Sequence, residues 1–380
     1  MKKETRRAAI TAIIPGIIIC FIVMMLGIFG AEQIGRLLVA LDVLPQGSAS
    51  PVSGIFVAII IGIIIRNTIG LHTLFQQGVA FSVKYALRAG IVLLGLRLSL
   101  SEALKLGAWG LPLIITCIAS GLFITLYFTK KLDQSRRLGT LIAGGTGICG
   151  VTAIMAISPV IKAKDNEISY AVANITIFGL IGMLLYPYAA HAMFGDDPIK
   201  VGLFLGTAIH DTAQVTGSAL IFSQIYDMDK VIDVATVTKL TRNLFIIAVI
   251  PFVSYLYYKQ SNQQEGGQTL PKWYKFVPIF VLLFLGLSLL RTIGDVTLAS
   301  TGQAFGLLAT SSWERFYEFW SNVGSTYMLG IAMAGVGLST DFSMFKGLGM
   351  KPFYIGLTAA ITIGIISLTL VSLFGDYVQI

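Results

Sequence analysis

Two short stretches place ionisable groups in surroundings that are otherwise apolar. The first is GTAIHDTAQVTGSA (206–219), where His210, Asp211, Gln214 and Thr216 stand among small residues. His210 and Gln214 are four apart and Asp211 and Gln214 three apart, so a helix brings them to one face. An imidazole beside a carboxylate is suited to carry a proton or to hold a coupling cation. The second stretch is TKLTRN (238–243), with Lys239, Arg242 and Asn243 spaced by three and four. Two cations one turn apart repel each other. They call for an anion between them, or for a carboxylate such as Asp211. The other reading is that long basic side chains reach up to the membrane interface. That reading suits Lys239, near the start of its span, better than Arg242, which lies deeper.

A third stretch, AGGTGICGVTAIMAISPVIKA (143–163), carries Gly144, Gly145, Gly147 and Gly150 within seven positions. Each glycine costs a helix about 1 kcal/mol relative to alanine, so a helix here is loosened or interrupted. Inside a bilayer each freed backbone group costs several kcal/mol if it faces lipid. An interrupted helix must therefore be covered by protein or line a wet cavity, as in transporters whose half-helices hold the substrate. Gly145, Thr146, Gly147, Ile148 and Cys149 are candidates to offer backbone N–H groups to an anion, with Lys239, Arg242 and Asn243 supplying charge and hydrogen bonds. The glycines alone would equally serve close helix packing. Asn174, in the next span, is placed either to bond the freed backbone or to make an ordinary interhelical bond.

The elements that must position these residues are apolar helices. The chain has 380 residues, 55% apolar and only 12% charged, with a mean hydropathy of +0.81. Soluble domains carry about 25% charged residues, so this is an all-α polytopic membrane protein. About eleven spans are expected, near 9–30, 52–66, 84–100, 108–128, 139–161, 168–194, 199–226, 232–258, 273–293, 320–340 and 352–374. The run after Lys2, Lys3, Arg6 and Arg7 is long and closes on no clear cleavage site, so it reads as an uncleaved first helix. The stretch KQSNQQEGGQTLPK (259–272) is the one clear polar linker. Trp313, Phe316, Tyr317, Phe319 and Trp320 form an aromatic cluster that fits the membrane interface or an amphipathic loop helix.

With the N-terminus in the cytoplasm and strict alternation, sixteen Lys and Arg fall on the cytoplasmic side and seven on the other. That bias sets the orientation. The loop KKLDQSRR (130–137) is its most persuasive part. Lys162 and Lys164 fall on the wrong side. The net charge of +8 sits in short loops and does not point to nucleic acid. Cys20, Cys117 and Cys149 lie in apolar spans and are odd in number, so they imply no disulfide framework.

An internal echo appears at an offset of 240. Gly90, Ile91, Gly95, Leu98, Ser99, Gly107 and Pro112 match Gly330, Ile331, Gly335, Leu338, Ser339, Gly347 and Pro352. The two spans run in opposite directions, as an inverted-topology repeat requires.

Enzyme chemistry has little support. His72, His191 and His210 are the three histidines, and none has a second ligand at metal-site spacing. There is no G-x-S-x-G and no Walker loop. No cofactor or metal is expected, and an energy source would be an ion gradient.

The set GGTGICG (144–150), SPVIKAK (158–164), IHDTAQV (209–215) and KLTRN (239–243) resembles the YeiH-like sulfate exporter family over nearly the whole chain. The glycine-rich segment followed by Asn174, and GVGLSTDF (335–342), are similar to segments of the bile acid/arsenite/riboflavin transporter superfamily. The resemblance implies inverted repeats with discontinuous crossing helices in a core beside a panel domain. It implies an extra N-terminal helix (1–30), a first core half (84–194) and a second half (199–374) holding the cytoplasmic linker 259–272. Gly147 stands where that family usually has a small hydroxyl residue, and Asp211 where it usually has glutamate.

The expected function is secondary active transport of a small inorganic or organic anion of sulfate or sulfite type. Substrate would meet Gly145–Cys149, Asn174, Lys239, Arg242 and Asn243. A coupling proton or sodium ion would meet His210, Asp211 and Gln214. The alternatives are a coupled carrier of larger organic anions and a non-transport membrane sensor or enzyme. The expected surroundings are the lipid bilayer of the cell membrane, with no nucleic acid and room for a homodimer.

Overall fold

The structure, a computed structural model, describes residues 2–41, 45, 50–261, 278–345 and 350–378. The polar linker 259–272 lies almost wholly outside them. The described chain is helical throughout, apart from a two-residue antiparallel pair, β1 (Gln303–Ala304) and β2 (Leu308–Ala309). In order the helices are α1 (Lys2–Ala40), α2 (Gly54–Thr68), α3 (Thr73–Phe81), α4 (Leu87–Leu94), α5 (Leu100–Lys131), α6 (Arg136–Gly147), α7 (Val151–Ile157) and α8 (Asp165–Phe194). There follow α9 (Pro198–Ala208), α10 (Thr212–Tyr226), α11 (Lys230–Leu244), α12 (Ile246–Ser261), α13 (Ile279–Thr301), α14 (Thr310–Asn322), α15 (Leu329–Ser339) and α16 (Met350–Phe374). Among the described residues six helical stretches are long and apolar enough to cross a membrane. They become seven if α11 and α12, bent by 45° at Phe245, form one span. Large apolar side chains such as Phe29, Leu37, Leu282 and Val296 stand exposed on α1 and α13, as lipid-facing helices require.

The chain divides into two compact units. The first comprises residues 1–103, 220–229 and 279–342. In it α3 runs into α4 through a π-helical turn at Ser82–Ala86, and α14 runs into α15 through another at Val323–Met328. Gly90 faces Leu329, and Gly335 faces Val83. As the residue number rises on one segment it falls on the other, so the two segments pack antiparallel. This is the pair that echoes at an offset of 240, and the π-turns fall at nearly equivalent positions. The aromatic cluster also belongs here. Trp313 is buried, donates to Asp295 Oδ1 at 2.9 Å and covers Gly294.

The second unit comprises residues 104–219, 230–278 and 343–380 and contains the first discontinuous segment and residues 199–219 of the second. Neither runs straight through. A Cβ built on Gly144 would lie 2.1 Å from Ile157 Cδ1, and one on Gly145 would lie 3.0 Å from Ile154 Cδ1. In a continuous helix residues 144 and 157 would be about 20 Å apart. So α7 doubles back along α6, with the tip at Ile148–Gly150, and the missing side chain at Gly144 lets the two halves touch. An independent contact agrees: Ser135 at the start of α6 donates to Glu167 Oε1 at the start of α8, at 2.5 Å. The segment therefore enters and leaves at one face.

The segment 199–226 returns in the same way. Gly202 packs on Val234 and Gly206 on Thr238. Residue numbers rise together, so α9 and α11 lie parallel with their starts level, and the helix joining them must run back. The glycine pair Gly202 and Gly206 permits this backbone approach. The α9–α10 hairpin enters where α8 ends, since α9 follows it directly, and Lys200 pairs with Asp376 beyond the end of α16, which runs parallel to α8, at 2.6 Å. Hence two re-entrant hairpins enter this unit from opposite faces.

That corrects the alternating assignment for 139–161 and 199–226, and it accounts for Lys162 and Lys164. With α6–α7 re-entrant, both lysines share a face with Lys130, Lys131, Arg136 and Arg137, while Lys200 moves to the opposite one. A membrane-impermeant thiol reagent tests this. Cysteine in place of Lys162 is expected to label from the same side as cysteine in place of Gln134. Cysteine in place of Asp197 is expected to label from the other. The native Cys20, Cys117 and Cys149 are buried and contribute little background.

Candidate functional site

The hairpin tips meet beside α11, which carries Lys239 and Arg242. Both are buried, at 1% and 0% exposure. Lys239 Nζ donates to the carbonyls of Ile148 (3.1 Å), Ile209 (3.0 Å) and His210. Arg242 donates Nε to Gly147 O (3.1 Å), Nη2 to Thr146 O (2.8 Å) and Nη1 to Thr207 O (2.6 Å). These six carbonyls belong to the last turns of α6 and α9 and the residues just beyond. A helix leaves its last carbonyls without intrahelical partners and carries about half a negative charge at that end. Two half-helices ending at membrane depth thus have their orphan acceptors met by two cations from one helix.

The opposite ends are met by Asp211. Asp211 Oδ1 accepts from Ala213 N at 2.9 Å, and Gln214 Oε1 accepts from Asp211 N at 3.3 Å. Together these two bonds cap the start of α10, with Asp211 at the N-cap. The same carboxylate accepts from Val151 N at the start of α7. It lies against Gly150, where a Cβ would come within 2.7 Å of Oδ2. Gly150 has φ +72, a conformation that favours glycine, so both its backbone and its contact with Asp211 exclude a side chain. One carboxylate therefore sits at the positive ends of two half-helices. Asp211 and Thr212 are half-buried, unlike the two cations.

Lys239, Arg242, Asn243, His210, Asp211 and residues 145–149 are brought together, but their groups are used differently from the expectation of N–H groups facing an anion. The N–H groups of Ile148 and Gly150 bond back to Gly144 O and Gly145 O. The 146–148 segment ends a helix, so its carbonyls, not its donors, point to Lys239 and Arg242. Gln214 is tied into the cap and donates to Thr176 O at 3.2 Å, over Gly179. Asn243 donates to Thr212 at 3.1 Å, and its Oδ1 is buried without a partner, as is His210 Nδ1. Asn174 is not at the break: it donates to Pro352 O on α16 at 2.6 Å. Two signals in the sequence mark this arrangement. D-x-x-Q at 211–214 is a cap signature, and the misplaced Lys162 and Lys164 marked the hairpin.

This architecture is that of a polytopic membrane protein with opposed re-entrant hairpins and a buried charged centre. The family described as conserved hypothetical protein 698 matches residues 15–356. A UPF0324 membrane protein of Streptococcus agalactiae is 33% identical over 368 residues, 96% of this chain and 98% of the relative. Another from Fusobacterium nucleatum is 28% identical over 363 residues, 95% and 98% of the two chains. One from Bacillus cereus is 32% identical over 325 residues, 84% and 86%. The chain belongs to the UPF0324 family of membrane proteins.

Proposed function

We propose that this protein is a secondary active transporter of a small anion, driven by an ion gradient. The observation that carries the reading is the buried centre at the two hairpin tips. There Lys239 and Arg242 share a buried centre with one carboxylate, Asp211, near Lys239, and the half-helix ends contribute equal and opposite partial charges. The set keeps one surplus positive charge at membrane depth, where an unbalanced charge is costly. A mobile anion removes that cost.

In this reading Arg242 is the anion contact. Three of its five N–H donors are committed to carbonyls, which leaves two for an oxyanion. Lys239 has all three donors on carbonyls and acts by holding the tips together. Asp211, which is half-buried, and the buried His210 beside it are the positions for the coupling ion. Gly145, Thr146, Gly147, Ile148, Cys149 and Asn243 shape the tips, while Asn174 braces α8 against α16. Opposed hairpins supply one movable tip toward each face, which is what alternating access needs. The positive face formed by Lys130, Lys131, Arg136, Arg137, Lys162 and Lys164 is assigned to the cytoplasm of a cell membrane.

The test is thermal stability of the purified wild-type protein against sulfate, sulfite, thiosulfate, phosphate, acetate and taurocholate, followed by uptake of the best stabiliser into liposomes. A saturating ligand at a hundredfold excess over Kd adds about 2.7 kcal/mol. Stabilisation and uptake of one small oxyanion are expected. Stabilisation by taurocholate alone would favour a carrier of larger organic anions, and no uptake of any stabilising anion would overturn the transporter reading.

A further inference from the structure

We infer that the carbonyl cage at the hairpin tips is a monovalent-cation site that the protein fills with its own Lys239 ammonium, so pairing of the tips needs no sodium or potassium ion. The cage draws on chain segments some sixty residues apart, through the carbonyls of Ile148, Ile209 and His210. Among the described residues Lys239 makes no ion pair. The Asp211 carboxylate that would be its natural partner is spent on backbone N–H groups instead. Such a ligand set, converging carbonyl oxygens at broken helices with a carboxylate one residue away, is how membrane proteins hold alkali cations stripped of water. An ammonium brings the same single charge and three donors for three acceptors. It is tethered, so it cannot leave with the substrate, and the site is occupied at any ionic composition.

The consequence for coupling rests on the transporter reading: sodium is not the ion that closes the tips, and a coupling ion must act elsewhere, at the half-buried Asp211. The cage itself is tested without flux. Lys239→Ala removes both the charge and the stem, leaving space lined by three orphan carbonyls. Lys239→Met removes the charge but keeps the space filled. Melting temperature is measured in sodium, potassium and N-methyl-D-glucamine chlorides at equal ionic strength, with the variants purified in potassium chloride.

The wild type is expected to melt at the same temperature in all three salts. Lys239→Ala is expected to melt lower in N-methyl-D-glucamine, and to recover at least half of the loss, saturably, in sodium or potassium. Lys239→Met is expected to stay low in every salt. Equal melting of Lys239→Ala in the three salts would overturn the inference, as would a saturable sodium-dependent rise in the wild type. If Lys239→Ala yields no folded protein, the wild-type comparison decides: flat behaviour supports the filled cage and a sodium-dependent rise overturns it. Failure of uptake in liposomes with this salt signature intact would sink the transporter reading and leave the cage standing.

Discussion

Arg242→Met is expected to reduce anion uptake into liposomes more than a hundredfold and to destabilise the protein by about 3–5 kcal/mol, the range for removing one partner of a buried charged network. The side chain is 0% exposed and its three bonds bridge α6, through Thr146 and Gly147, to α9, through Thr207. Deleting it leaves three buried carbonyls unmet and lets the two tips separate. A stability loss alone would be expected of any structural arginine, so Arg242→Lys is the informative companion. An ammonium keeps the charge but not the planar fork. It reaches the carbonyls of one hairpin or the other, not both, and cannot offer the substrate a planar pair of donors. The expected result is recovery of about half the stability with uptake still at least tenfold below wild type. Melting curves and uptake on the same preparations check both parts. Wild-type uptake by Arg242→Met would remove Arg242 from the substrate path.

The sequence made the buried chemistry visible because membrane composition is so restrictive. A histidine, an aspartate, a lysine and an arginine inside apolar runs have few places to go, and all four come to one centre. The interruption at 144–150 was legible for the same reason, since four glycines in seven positions cannot hold an ordinary span. What composition does not encode is direction. Gly144 permits a fold-back onto Ile157 just as it permits close packing in a straight span, and only the contact distinguishes them. The α9–α10 hairpin was harder still, because its return follows from Gly202 on Val234 and Gly206 on Thr238, two contacts across thirty-two residues. Polarity at the tips turns on which helix end lies there. Residues 146–148 close a helix, so they expose acceptors, whereas the donors lie past Gly150 at the start of α7. Asn174 carried too little information by itself: an amide in a span can serve any neighbour, and here it serves Pro352.

Asp211→Asn separates the two tasks of the one carboxylate in the centre. The amide oxygen can still accept from Ala213 N, so the cap on α10 survives in part. The amide nitrogen then faces Val151 N, which has no acceptor, and the favourable charge at two helix starts is gone. Each such charge is worth about 0.3–1 kcal/mol, rising to about 2 when partly buried, so a loss of about 1–3 kcal/mol in stability is expected. The functional effect is larger and has a direction. Removing the carboxylate nearest Lys239 raises the surplus of the centre, counted over Lys239, Arg242 and Asp211, from one positive charge to two. The anion is then held more tightly and released more slowly, and the group assigned to the coupling ion is lost. Uptake assays are therefore expected to show a lower apparent KM for the anion together with a maximal rate at least tenfold below wild type. A purely structural role would lower the amount of active protein and leave KM where it was. Unchanged KM with a rate that simply tracks the folded fraction would reduce Asp211 to a helix cap.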